Sequence, residues 1–266
     1  MKKAKLSIIF LSLIGIALSC DSDDNTPNPN ALDCLPASLQ TGIIAYYPFN
    51  GGSLNDFSGN GNHLTNTTTA FSSEDRDGNT DCAFEFVAAN NDFLTIVNPT
   101  FIDDFDSNPF SISLWFKTEG TREGGLYEQI IGRDTGLHCP DTYGQWSFSL
   151  SDCRNVVFGI NDYSIWGDGW PIPYGDTDCI NDPSKNQWHH VVVTSNGPNN
   201  INLYINGLPT SGVPTTGCSN PLGTSNIGDF FIGKEYTGLV DDIVIYDRIL
   251  TQAEVTQLFD LDPCCD

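Results

Sequence analysis

At 266 residues, with 39% hydrophobic residues, sixteen Phe and a single Met, the chain is long enough for one large core and unlike a helical bundle. Eleven Lys and Arg stand against 34 Asp and Glu, a formal charge of −23, which repels phosphate backbones and argues against a nucleic-acid partner. The surplus suits an extracellular, cation-rich setting, and a solvated acidic coat accounts for most of it.

The first segment reads as an export signal. Lys2, Lys3 and Lys5 form a positive region, residues 6–18 an apolar run too short to span a bilayer comfortably, and Ser19-Cys20 follows. A Cys directly after such a run resembles a bacterial lipoprotein signal, in which Cys20 becomes the lipidated first residue and anchors the protein to the membrane. Ala17 and Leu18 depart from the usual residues, so an ordinary cleaved signal is the alternative. Residues 1–19 are assigned to this signal and 20–41 to a tether. Its acidic run Asp21-Ser22-Asp23-Asp24-Asn25 and Pro/Asn-rich 26–30 read as a flexible spacer. The acidic run resembles the surface-export signal of some Gram-negative lipoproteins and equally fits plain linker solvation.

From Gly42 to the C-terminus, residues 42–266, the pattern becomes short strands separated by Gly, Asn, Asp and Pro turns. Strands are expected over 43–49, 83–86, 93–97, 129–132, 145–150, 156–160 and 230–233. In 110–116, Phe110, Ile112, Leu114 and Phe116 share one face, while Ser111, Ser113 and Lys117 share the other: a half-buried antiparallel strand. Ile201, Leu203 and Ile205 alternate with polar neighbours, and Asn206-Gly207 signals a tight turn. Thr251-Gln252-Ala253-Glu254 has the form of a capping box, and Val255, Leu258 and Phe259 supply the apolar stripe of a short closing helix. Many strands with little helix mean a sandwich or barrel.

Nine Cys less Cys20 leave eight, an even number that in an exported protein favours disulfides over metal thiolates. Local pairings are Cys139 with Cys153 across a hairpin and Cys179 with Cys218 across a long excursion. Cys34 would join Cys264 or Cys265 if the ends of the domain are neighbours, and Cys82 would take the remaining partner.

In order along the chain, Ile44-Ala45-Tyr46-Tyr47-Pro48-Phe49-Asn50, the loop Asp56-Phe57-Ser58-Gly59-Asn60-Gly61-Asn62, strand 110–116, Trp188-His189-His190-Val191-Val192-Val193, Leu203-Tyr204-Ile205-Asn206-Gly207, and Gly238 to Arg248 with its following helix resemble the laminin-G-like, concanavalin A-like lectin/glucanase superfamily. Each motif is weak alone; their order over about 42–259 carries the resemblance. It implies an all-β fold, a two-sheet antiparallel jelly-roll sandwich with a short C-terminal helix and adjacent terminal strands. Residues from about 134 to 184 do not align to the family's motifs.

The resemblance also implies a structural calcium at the corner where the terminal strands meet. Calcium takes six to eight oxygens, and Asp56, Asn60 and Asn62 offer side-chain oxygens on a glycine-hinged loop. Strand parity groups Asp241 with Ile243 and Ile245, and Asp242 with Val244 and Tyr246, which favours Asp241 as the fourth ligand and Asp242 as the next. An Asx-rich turn with Asp241 capping a backbone amide is the alternative.

Catalytic patterns are sparse. The superfamily's Glu-x-Asp-x-x-Glu strand motif is missing, as are His-Glu-x-x-His and Gly-x-Ser-x-Gly, and His190 fits a hydrogen-bonded core residue. Tyr163, Trp166, Trp170 and Tyr174, interleaved with Asp162, Asp168 and Asp176, form the candidate ligand surface, where sugar C–H faces would stack on rings; the same rings could plug a stapled loop. The reading is a non-catalytic binding module held at the outer membrane or cell surface of a Gram-negative bacterium, recognising a glycan or surface glycoprotein. A glycan-active hydrolase or lyase, or a protein-interaction adhesin module, are the alternatives.

Overall fold

The computed structural model describes residues 31–120, 127–133, 144–151, 155–167, 185–216 and 227–265. Strands are numbered in chain order. One sheet runs Leu208–Pro209 (β13), Ile201–Ile205 (β12), Trp188–Ser195 (β11), Phe110–Thr118 (β6), Gly238–Tyr246 (β16), Ala83–Phe86 (β4) and Phe71–Ser73 (β3), with Ile43–Tyr47 (β1) also pairing β16. The other runs Thr215–Thr216 (β14), Tyr163–Trp166 (β10), Asn155–Ile160 (β9), Trp146–Ser151 (β8), Tyr127–Arg133 (β7), Phe230–Ile232 (β15), Leu94–Ile96 (β5) and Thr65–Asn66 (β2). All pairings between these strands are antiparallel, so two sheets form a sandwich of the expected jelly-roll class.

The first and last strands lie side by side, with Tyr46 opposite Val244 and Tyr47 opposite Ile243. Asn206 and Gly207, at φ 49° and 77°, turn β12 into β13 as the Asn-Gly pair predicts. The closing helix α1, Gln252–Phe259, starts at Thr251, whose hydroxyl accepts from the Glu254 N–H while Glu254 accepts from the Thr251 N–H.

Between the sheets lies a core rich in Phe. Phe110, Ile112, Leu114 and Phe116 meet Phe148, Phe158 and Trp146, and Phe105 stacks on Phe110 at 4.2 Å between centroids. The sequence expectation of one solvated face for β6 does not hold. Ser111 and Ser113 are as buried as the phenylalanines, because a second apolar layer covers the outer face of this sheet. That layer joins Leu35 and Leu39, Tyr46, Val192, Val244 and Tyr246 to Leu250, Val255 and Leu258 around α1. The tether assigned up to residue 41 thus supplies Leu35 and Leu39 to a packed layer. Ser111 is satisfied there: it donates to the Arg248 carbonyl at 2.7 Å and accepts from the Leu250 N–H at 3.0 Å.

Cys34 is bonded to Cys264 and Cys82 to Cys265, one of the two arrangements left open by the sequence. Adjacent cysteines therefore tie the C-terminal tail both to the N-terminal segment and to the head of β4. Cys20, Cys139, Cys153, Cys179 and Cys218 lie outside the described residues.

Candidate functional site

The loop after β1 is organised by one buried carboxylate. Oδ1 of Asp56 accepts from the Tyr46 N–H at 3.0 Å and the Ser58 N–H at 2.9 Å, and Oδ2 accepts from the Asn62 N–H at 3.0 Å. The side-chain amides of Asn60 and Asn62 donate to the Ile44 carbonyl at 3.2 and 2.8 Å. This is an Asx-built turn closed on the edge of β1.

Asp241 and Asp242 sit in a different environment, created by a β-bulge. Asp242 has φ 45°, and the register of β16 against β6 jumps between Asp241 and Val244. Val240, Ile243 and Ile245 point into the inner core while Val244 and Tyr246 point outward. Strict parity, which put Asp241 with Ile243, is therefore wrong across this point. Asp241 lies opposite Trp115 on the outer face, beneath α1, and the bulge brings Asp242 to the same partner. That partner is Arg76: its Nη1 is 3.3 Å from Asp241 Oδ2 and 2.7 Å from Asp242 Oδ2. Burial pushes the Asp241 carboxyl well above its usual range, with the neighbouring Asp242 charge adding to it and Arg76 opposing. Asp242 is raised in the same way by burial, again opposed by Arg76. Among the described residues, Asp56 does not join Asp241 and Asp242 in a grouping tight enough for one ion. The grouping that is tight enough, Asp75 with Cys82 and Cys265, has both sulfurs in a disulfide.

A small polar cavity lies beside Arg76, lined by Tyr46, Ser113, Trp115, His190 and Asp242. His190 Nε2 is 2.8 Å from Ser113 Oγ, whereas its Nδ1 and the Oδ1 of Asp242 are buried without a partner. Burial, reinforced by the Arg76 charge, lowers the His190 pKa to about 3. Trp115 clusters here with the His190 ring at 5.1 Å and Phe259 at 5.7 Å, those two being 6.0 Å apart. It is a packing residue of the outer layer.

The two aromatic candidates among the described residues do not share a face. Tyr163 and Trp166 belong to β10, where Tyr163 shares the core side with Ile165 and Trp166 points to the opposite face. Trp170 and Tyr174 lie outside the described residues. A separate groove of about 340 Å³ is lined by Ile44, Phe101, Asp104, Phe105, Asn108, Pro109 and Asp247. It lies where the loop before β6 meets the start of β1 and the end of β16. Half-buried Phe101 packs edge-on to Phe230, while Asp104, Asn108 and Asp247 are exposed. Sequence reasoning missed this groove, whose signal was the run Phe101-Ile102-Asp103-Asp104-Phe105, an aromatic pair around acids just before a strand.

Two antiparallel sheets with paired terminal strands and a capped closing helix define a lectin-type jelly roll. The family model described as the concanavalin A-like lectin/glucanases superfamily, laminin G type, matches residues 88–256, and the chain belongs to this family. No curated protein matches it by sequence. Among solved structures, it is similar to the binding domain of Paraclostridial Mosquitocidal Protein 1, with 19% identity and a TM-score of 0.61, over 83% of this chain and 52% of that one. It is similar to botulinum neurotoxin type C, whose cell entry depends on interaction with two ganglioside molecules, with 17% identity and TM-score 0.62 over 84% and 52%. The binding domain of botulinum neurotoxin DC, solved in complex with rat synaptotagmin II, aligns with 16% identity and TM-score 0.60 over 83% and 52%. The chain spans about half the length of each, and the likeness is one of fold.

Proposed function

We propose that this chain is a surface-held, non-catalytic recognition module whose ligand is a glycan or a glycoprotein. The observation that carries the reading is the groove at Phe101. An aromatic face beside two carboxylates and a carboxamide matches a sugar ring, whose C–H face stacks while its hydroxyls donate to Asp104, Asn108 and Asp247. Support also comes from how the buried acid–base groups are used. Asp56 holds a turn, Asp241 and Asp242 hold Arg76, and His190 is shut beneath α1, so none faces the groove. The solved binding domains of similar fold engage gangliosides or a protein receptor, which is consistent with recognition on this scaffold. Trp166 with Trp170 is the second contact surface in this reading.

A glycan array combined with turnover of a polysaccharide panel tests it. Binding without chain shortening is expected, with binding lost in Phe101→Ala/Asp104→Ala and weakened in Trp166→Ala/Trp170→Ala. Release of shortened products would replace this reading with a glycan-active enzyme. Capture of a protein partner with no glycan bound would replace it with an adhesin.

A further inference from the structure

The residues at the terminal-strand corner do not fit one calcium ion, and the reason is that a cation is already built in. Arg76 is only 9% exposed. Its Nη1 spans the two carboxylates at 3.3 and 2.7 Å, its Nη2 donates to the Leu261 carbonyl at 3.0 Å, and its guanidinium carbon lies 4.5 Å from the Trp115 ring centroid. A planar, weakly hydrated guanidinium suits this slot, with an aromatic face on one side and oxygens at its edge. Calcium would need six to eight oxygens, and here the guanidinium, the Trp115 indole, the His190 imidazole and apolar Leu35, Val244 and Leu258 take much of the wall, with Tyr46, Ser113 and Asp262 beside them. Of the remaining carboxylate oxygens, Asp241 Oδ1 accepts the Asp242 N–H at 2.7 Å, which leaves Asp242 Oδ1 as the one without a partner. At the Asp56 loop, three backbone N–H groups already bond the carboxylate, and the Asn amide nitrogens donate to the Ile44 carbonyl.

Arg76 is held in place by its own turn. Asp75, 5% exposed, accepts the N–H groups of Asp77 and Asn79 at 2.8 and 2.9 Å and the Asn79 side-chain amide at 2.9 Å, which fixes the β3–β4 connection. That connection leads to Cys82, bonded to Cys265 in the tail whose Leu261 carbonyl Arg76 also holds. Ion pair and disulfide thus converge on one segment.

We propose that Arg76 is the internal counter-ion of the Asp241–Asp242 bulge, fastening the C-terminal tail over the outer face of the β6-containing sheet in place of a calcium ion at these carboxylates. The test is thermal unfolding of the purified chain with calcium and with EGTA, for wild type, Arg76→Met, Asp241→Asn/Asp242→Asn and the triple variant. Wild type should melt at the same temperature in both buffers. Arg76→Met should lose roughly 6 °C or more, since two buried carboxylates are left unpaired. The triple variant should recover most of that loss, because the charges that needed Arg76 are gone. Wild-type stability lost in EGTA, with the loss absent from Asp241→Asn/Asp242→Asn, overturns the proposal by placing calcium at these carboxylates. An Arg76→Met loss of the same size with and without the aspartates overturns it as well, reducing Arg76 to packing. Should Arg76→Met fail to fold, the folded triple variant carries the rescue arm and the wild-type chelation arm stands unaffected.

Discussion

Lowering the pH should loosen the outer layer through His190. The ring is 1% exposed, faces Arg76 and Asp242 across the cavity, and has a pKa lowered from 6.5 to about 3 by burial and the Arg76 charge. Below pH 6.5 the unfolded chain takes up a proton that the folded chain refuses, so stability present above that pH is lost as pH falls toward 3. Integrating the two binding curves gives a loss of about 2 kcal/mol by pH 5 and about 4 kcal/mol by pH 3 from this residue alone. Asp241 and Asp242, raised in the fold, act with the opposite sign, since acid relieves their buried charge. Wild type alone would therefore mix the two effects. His190→Gln keeps a polar group for Ser113 and removes the titration, so the difference between wild type and variant isolates the histidine. Urea unfolding followed by Trp fluorescence between pH 7 and 3.5 measures it. The wild type should lose ground to His190→Gln steadily below pH 6.5. A difference that stays flat across that range would refute the argument, and with it the closed placement of the ring under Trp115 and Phe259.

Removing one staple with Cys34→Ser/Cys264→Ser should lower the urea midpoint by the equivalent of roughly 2–5 kcal/mol, because that bond closes a separation of 230 residues. An unchanged midpoint would show that the N-terminal segment does not need the bond. Gly233 has φ +81°, and a Cβ there would sit 2.1 Å from the Phe86 ring, so Gly233→Ala should cost more than about 2 kcal/mol by the same assay. Cys20 is proposed as the lipid site: metabolic labelling with a fatty acid should mark the full chain expressed with its leader and leave Cys20→Ala unmarked. Equal labelling of both would remove that assignment.

Local rules were enough for much of the fold and failed where distant elements meet. The Asn206-Gly207 turn, the Thr251 box and the inward face of β6 each depend on a few neighbouring residues, and they read correctly from the chain. Ser111 and Ser113 did not: a serine facing solvent and a serine sealed under α1 look alike until Leu250 and His190 are placed against them. The bulge was the harder case. Asp241-Asp242 inside an apolar run reads as ordinary alternation, and nothing local announces that Asp242 takes a left-handed conformation. The partner of both carboxylates, Arg76, lies 165 residues from Asp241 by sequence. In a chain with eleven basic residues and 34 acidic ones, most carboxylates have no cation to meet, which makes a buried arginine between two of them informative. The bulge costs a ladder position, and with it both carboxylates meet the Arg76 guanidinium. The same logic separates fold from recognition. The corner that looked most like a ligand site by residue type is consumed in holding the tail, while among the described residues the Asp104 and Asp247 carboxylates of the groove at Phe101 pair with no Lys or Arg, Asp104 meeting only the Asn108 amide.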